Sequence, residues 1–340
     1  MKNLEAALET ALKGRPLTCE DAKAILGLKV ISRDLLGAGG AARDRCLGKE
    51  LKFYYPLPKF PNISVTGTQC ALNCAHCSGY YLHGMTGAET PSRLKKLCRK
   101  LDAAGAIGIL VSGGSDIHGR VPLDGFYGAL RWVKENTGLI VNVHTGLLDA
   151  ETAEKIYSTG IDIASVDVVG SDYTIRRVYG LNATTEDYWN TLEALVEAGV
   201  PHVVPHICVG LDFGEIRGEA TAMEMAQKID SELIVILGLI PTAGTTMETV
   251  EPPSSEDIAK AIATARLMCP KSEIALGCMR PRKDKAKMER LTINAGVNRI
   301  VLPSKSTIAL VQTEFSVKQL DGCCSIPKEY EFRVQMRRNL

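Results

Sequence analysis

The sequence predicts an α/β protein folded as a closed (β/α)8 barrel of the TIM type. Three observations carry this. Short β-branched runs recur eight times along the chain. Each but the last is followed by an amphipathic helical segment. Polar and glycine-rich groups gather just after the runs, where barrels of this kind place their chemistry.

The predicted strands are Asn62–Val65, Ile107–Val111, Leu139–His144, Ile161–Asp167, His202–Val209, Leu233–Leu239, Ile274–Gly277 and Asn298–Leu302. Between them lie the helical segments Pro91–Ala104, Gly125–Asn136, Ala150–Ser158, Thr185–Ala198, Ala220–Ile229 and Ser254–Met268. Repeated β-α units demand a parallel sheet, because each crossover returns the chain to the same edge. Eight such units suit a barrel of ~250 residues, with an open doubly wound sheet as the alternative. Ahead of them, residues 3–48 read as helices: Leu4, Ala7, Leu8 and Leu12 recur at helical spacing, and Thr18 caps a helix from Glu20 to about Leu26. Pro56, Pro58 and Pro61 break that pattern. The expected organisation is an N-terminal helical extension (1–55), a barrel (56–310) and a C-terminal tail (311–340).

The composition is that of an ordinary globular chain: 340 residues, 45% hydrophobic, 23% charged, formal net charge +1. A nucleic-acid protein usually shows a basic excess, so no nucleic-acid partner is expected. The basic run Arg280–Lys287 reads as a solvated loop and helix start. No apolar run approaches the ~18 residues of a membrane span. The first residues lack the apolar core of a signal peptide. The expectation is a cytoplasmic protein without membrane contact. Eleven cysteines in such a chain point to metal for some of them, because cytosolic thiols stay reduced.

The sharpest motif is Cys70-Ala-Leu-Asn-Cys74-Ala-His-Cys77, directly after the first predicted strand. Three thiolates on one loop can bind three irons of a cubane and leave the fourth iron open to a small molecule. The alternative is a zinc site with His76 as fourth ligand. Further candidates follow later strands: Ser112-Gly113-Gly114-Ser115-Asp116, His144-Thr145-Gly146, Asp167, Gly210-Leu211-Asp212 and Pro241–Thr245.

This motif in this place resembles the signature of the radical S-adenosylmethionine (SAM) superfamily. The resemblance implies a [4Fe–4S] cluster on Cys70, Cys74 and Cys77, whose open iron binds SAM. Reductive cleavage of SAM would then give a 5′-deoxyadenosyl radical that abstracts hydrogen. It further implies that Gly113, Gly114, Ser115 and Asp116 meet the methionine amine, Ser115 standing where the family's acidic residue is usual. Asp167, with Ser165 on the same strand face, would bind the ribose. Ile207-Cys208-Val209-Gly210 is similar to the segment along which adenine stacks, so Ile207 and Val209 are candidate contacts. A non-catalytic iron–sulfur carrier or a zinc-binding protein is the alternative from another class; a carrier would not need these additional loops.

The likeness extends to the biotin synthase and lipoyl synthase branch. Biotin synthase holds a sacrificial cluster on three strand cysteines and an arginine. The comparable positions here are Leu110 or Val111, Asn142, Val204 and Arg280, so the cysteines are missing. Pro205-His206, Gly277–Pro281 and Cys323-Cys324 resemble biotin-synthase-like proteins common in archaea. Part of that group looks like one protein of the split, two-protein lipoyl synthase. The implied substrate is an octanoylated lipoyl-carrier domain, such as glycine cleavage H protein or a 2-oxoacid dehydrogenase E2. The implied partners are a second radical SAM protein and an electron donor such as ferredoxin or flavodoxin. Cys278, Cys323 and Cys324, with Arg280, are candidates for a second, auxiliary iron–sulfur cluster; the other reading of Cys323-Cys324 is an incidental surface thiol pair. A full final helix of ~13 residues would carry the tail ~20 Å from the rim, so the tail must turn back. His144 and His206 read as core histidines, with a substrate or SAM contact as the alternative. Tyr80 and Tyr81 read as cluster cover or as packing.

Overall fold

A computed structural model describes residues 2–335. Eleven strands are present: β1 (Glu50–Tyr54), β2 (Asn62–Ser64), β3 (Thr86–Gly87), β4 (Gly108–Ser112), β5 (Ile140–His144), β6 (Ile163–Asp167), β7 (His202–Val209), β8 (Leu233–Gly238), β9 (Glu273–Leu276), β10 (Arg299–Val301) and β11 (Ser316–Leu320). They form one sheet in the order β11-β1-β10-β9-β8-β7-β6-β5-β4-β2-β3. Every strand pair in it is parallel.

All eight predicted strands and all six predicted helical segments are found, with small shifts at their ends. The sheet differs from the expected barrel in its closure. Its order is linear, and β11 and β3 are not paired with each other among the described residues, so it is a partial barrel. Three strands escaped the sequence reading: β1, β3 and β11. β1 and β11 each carry a lysine, Lys52 and Lys318, that blurs the apolar pattern.

Alternation along the strands makes two cores. Val141, Val143, Ala164, Val166, Ile207, Val209, Ile234 and Ile236 point outward beneath the helices. Ile140, Ile163, Val204, Leu233, Val235 and Ala275 point inward. Fully burying each large apolar side chain contributes about 1.5–3 kcal/mol, so both faces hold the sheet in register. The N-terminal helices Cys19–Leu26 and Arg33–Leu47 join the outer core through Ile25, Leu26, Leu35 and Leu36. Thr18 caps the first of them in a reciprocal box with Asp21.

The tail does turn back. The last helix of the barrel is only Lys305–Val311, and β11 then returns the chain to the C-terminal end of the sheet. From Asp321, whose N–H donates to the Val334 carbonyl at 2.7 Å, the chain enters the barrel interior. Cys324, Ile326 and Val334 belong to the inner core. Tyr330 reaches the opposite end of the barrel, where its hydroxyl donates to the Asp162 carboxylate at 3.1 Å, just ahead of β6. Residues 336–340 of the expected tail lie outside the described residues.

Candidate radical SAM site

The loop from Gly67 to Gly79 is fastened at three places. Gly114 N–H donates to Thr66 Oγ1 at 2.7 Å, and Thr66 Oγ1 donates to the Gln69 carbonyl at 2.8 Å. Ala75 N–H donates to the Val178 carbonyl at 2.7 Å, beyond β6. Met247 N–H donates to the Ala75 carbonyl at 3.2 Å, beyond β8. Loops after three other strands thus hold the cysteine loop on the C-terminal rim. Ser78 and Gly79 turn the loop with φ of +42° and +75°.

Gly114 is where the second loop meets the first. A Cβ built there would stand 2.1 Å from the Gln69 carbonyl oxygen and 2.6 Å from Cys70 Cα. Only glycine permits this approach. It brings Ser115 N–H to within 3.3 Å of Cys70 Sγ, and Ala71 N–H to 2.8 Å from the Ser115 carbonyl. Gly113 sits against Thr66 in the same contact. Asp116 is occupied otherwise. Its carboxylate accepts from the N–H groups of His118 and Arg120 at 2.8 and 3.0 Å, closing its own turn, so it holds the loop and does not reach the cysteines.

Cys74, His76 and Cys77 gather their donor atoms within 4.8 Å, the one such group of metal-ligating side chains among the described residues. His76 Nδ1 is buried without a partner, and the ring packs edge-on to Tyr179. Between the two close sulfurs ionisation is shared. The Cys74 thiol donates to Cys77, whose thiolate falls to about 4, while Cys74 rises. Cys70 stands apart from this group, at the Ser115 amide. Such a spread suits separate irons of a cubane better than ligation of one ion. Three thiols on one loop, one already accepting a backbone N–H, fit a [4Fe–4S] cluster.

Asp167, at the end of β6, is exposed toward this rim, and its partner in register is His206 on β7. Ser165, two residues earlier, is buried and donates to Asn142 Oδ1 at 2.9 Å, so it belongs to the layer beneath. Ile207 and Val209 could meet a ligand only through their backbone. Their side chains are buried in the outer core under the helices. Cys208, between them, has the opposite orientation and is partly exposed. His144 and His206 lie with ring centres 5.4 Å apart. Burial pushes both downward, His206 to about 4, because the neighbouring His144 adds to the effect. Tyr81 is tied to Thr242 at 2.7 Å.

The tail cysteines come inside. Ser325 Oγ lies 3.5 Å from His206 Nε2, while the Cys324 carbonyl accepts from Arg299 at 2.8 Å and Cys324 lies in the inner core. Cys278, just past β9, remains exposed as a residue, yet burial of its thiol, together with the nearby Cys323 thiol, pushes its pKa up. Leu110, Asn142 and Val204, at the positions compared with cluster cysteines, take the inward direction; Val111 points outward. Arg280 does not offer itself as a ligand. Its guanidinium donates to Glu289 at 3.0 Å, to the Val301 carbonyl at 2.8 Å and to the Gly277 carbonyl, leaving Nε alone without a partner. The run Arg280–Lys287 is therefore not all solvated, since its first residue is buried. Sequence reasoning missed Arg299, Glu331 and Ser325. A charge amid the apolar run Asn298–Leu302 was the available signal.

Comparison with known proteins agrees with this geometry. Residues 64–222 match the Radical SAM superfamily, and residues 236–338 match the Biotin and Thiamin Synthesis associated domain. The fold resembles HydG, a maturase of the [FeFe]-hydrogenase, with TM-score 0.68 at 16% identity over 88% of this chain and 68% of that one. It also resembles methylornithine synthase (PylB), with TM-score 0.64 at 20% identity over 96% of this chain and 91% of that one. With these two family matches the chain belongs to the radical SAM superfamily and is a radical SAM enzyme; membership implies a [4Fe–4S] cluster, which Cys70, Cys74 and Cys77 would hold, and SAM. Within it, the chain falls in the biotin-synthase-like branch. A biotin synthase of Citrifermentans bemidjiense is 27% identical over 78% of this chain and 79% of that protein. One of Chromohalobacter salexigens is 30% identical over 70% of this chain and 65% of that protein. No helix is long and apolar enough to cross a membrane among the described residues.

Proposed function

We propose that this chain inserts sulfur at a saturated carbon, with the tail cysteines as the place from which sulfur comes. The observation that carries the reading is the position of Cys323-Cys324 inside the barrel, in the inner core, with the next residue, Ser325, against His206. Cys70, Cys74 and Cys77 would hold the first cluster, and Cys278, Cys323 and Cys324 a second. The first cluster and SAM, when bound, supply hydrogen abstraction from an unactivated carbon. The chain's own part is to orient and enclose. The Gly113–Ser115 backbone lies beside Cys70, and Asp167 offers an accessible carboxylate at the rim for a ribose. Leu110 and Leu237 give the interior apolar wall, which holds an alkyl chain in place without reacting with it.

The relatives' name, biotin synthase, supports the wider form of this reading: cofactor assembly by sulfur insertion. The absence of cysteine at positions 110, 142 and 204 argues for a source of sulfur other than strand cysteines. The narrower form takes an octanoyl group on a lipoyl-carrier domain as substrate. A second radical SAM protein would complete the product, and a ferredoxin or flavodoxin would supply electrons. This choice rests on the resemblance of the sequence to the split lipoyl synthase. The test is mass spectrometry of an octanoylated carrier peptide, and separately of dethiobiotin, after incubation with SAM, reductant and this protein, alone and with the partner. One added sulfur on the peptide with this protein alone, and two with the partner, is the expected result. Sulfur added only to dethiobiotin would replace the narrower reading with the wider one. Deoxyadenosine formed with no mass change in either substrate would refute sulfur insertion on both.

A further inference from the structure

The tail crosses the barrel over a floor of buried charge. Arg299, inward-facing on β10, is 2% exposed. Its Nη1 donates to two backbone carbonyls of the tail, Cys324 at 2.8 Å and Ile326 at 2.6 Å. Its Nε donates to Glu273 at 2.5 Å, and Nη2 reaches Glu331 at 3.5 Å. Lys52, from β1, bridges the same two carboxylates at 2.5 and 2.6 Å. Two cations and two anions are thus paired out of water. Buried ion networks of this kind commonly contribute no more stability than apolar side chains of the same volume. Stability therefore does not explain why the floor is charged. Its direction does. One guanidinium nitrogen, Nη1, holds the carbonyls on both sides of Ser325 while Nε and Nη2 serve Glu273 and Glu331, a set of four acceptors that a lysine ammonium with three donors cannot meet.

We infer that Arg299 is the positioning residue for the tail cysteines: by holding the carbonyls of Cys324 and Ile326 it fixes the Cys323-Cys324 segment within the inner core of the barrel. The carbonyls are backbone groups, so the grip does not depend on what the cysteines carry. Glu331 and Lys52 belong to the same device. Glu331 comes from the tail itself and ties the far side of the segment to β1. The inference deepens the sulfur-insertion reading in its iron readout only; its thiol readout stands independently.

The experiment uses the full chain, reduced and metal-free, with maleimide labelling of each cysteine followed by peptide mass spectrometry. Cys324 is 4% exposed and Cys98, under the helix Pro91–Ala103, is 0% exposed. Both should label slowly in the wild type. In Arg299→Met, Cys324 should label about tenfold faster or more, the factor matching loss of charged hydrogen bonds, while Cys98 stays protected. Arg299→Lys should fall between, and Glu331→Gln should move in the same direction. Unchanged labelling of Cys324 in these variants would overturn the clamp. So would equal acceleration at Cys98, which would mark general loosening. After anaerobic reconstitution, Arg299→Met should lose iron beyond the first cluster yet still form 5′-deoxyadenosine. If wild type takes up only about four irons per chain, the second-cluster reading fails, and the labelling result still decides the clamp.

Discussion

Gly114→Ala is the most exacting test of how the rim is built. The added methyl would sit 2.1 Å from the Gln69 carbonyl oxygen, 2.6 Å from Cys70 Cα and 2.6 Å from Cys70 Cβ. Ordinary contact begins near 3.4 Å, so Gln69 and Cys70 would have to retreat by about 1.3 Å, the difference between 3.4 and 2.1 Å. The obstructing atoms are backbone, so no side chain can rotate away. Overpacking of this sort costs typically about 1–3 kcal/mol. Here the strain falls on the loop that carries Cys70 and on its link to Ser115 N–H. Gly113→Ala is the matched control: its nearest atoms are Thr66 Cγ2 and Oγ1, both at 3.1 Å and both on a side chain. The assay is iron bound after anaerobic reconstitution, together with deoxyadenosine formed from SAM. Gly114→Ala should lose most of both, with a melting temperature close to wild type, and Gly113→Ala should lose much less. Equal retention of iron and SAM cleavage in the two variants would refute the docking of these loops as the element that fixes Cys70.

Replacing Cys70, Cys74 or Cys77 by Ala should abolish deoxyadenosine formation, measured by chromatography under reducing anaerobic conditions; full activity in any one would defeat the assignment of that thiol. Glu273 gives a pH prediction. Burial alone would raise its carboxyl, but Arg299 and Lys52 outweigh burial and hold it at about 2, against 4.5 for a free glutamate. A carboxyl depressed on folding stabilises above its unfolded value, and that stability is lost as pH falls through the folded one. Its contribution of roughly 3 kcal/mol should therefore be complete above about pH 4.5 and vanish toward pH 2. Chemical denaturation across that window should show a shallower fall in Glu273→Gln than in wild type, and parallel curves would count against the network.

Most of the architecture was legible because period-two alternation and period-3.6 amphipathicity are local. Val141, Val143, Ile234 and Ile236 announce strands without reference to anything distant. β1 was not legible for the opposite reason. Leu51-Lys52-Phe53-Tyr54 places a lysine inward, and that lysine is tolerable only because Glu273 and Glu331 arrive from other parts of the chain. The same holds for the site. Cys70, Cys74 and Cys77 could be read from spacing, since one loop carries them all. Ile207 and Val209 were misread because a backbone segment that lines a ligand still sends alternate side chains the other way. Arg280 was misread because Glu289, which takes its guanidinium, lies nine residues on, past a loop whose course the sequence does not give. Arg299 stands out in the sequence as a charge amid an apolar run, but its task could not be read there, because what it grips is backbone.

The placement of β1 bears on how the molecule comes to be. It lies between β10 and β11, so residues 50–54 wait for partners at 299–301 and 316–320. A chain leaving the ribosome has nothing to set that seam against until residues 299–320 have emerged. Pairing at such sequence separation is slow and leaves strand edges open in the meantime. The tail is later still, because its clamp includes Lys52 of β1 and Arg299 of β10 and cannot exist before the seam does. The order of assembly is thereby constrained: the cysteine loop at residues 70–77 needs nothing beyond Met247 for its fastenings, whereas Cys323 and Cys324 meet their surroundings only once β1 and β10 have paired. A change at Glu331 would therefore be felt in β1, at Lys52.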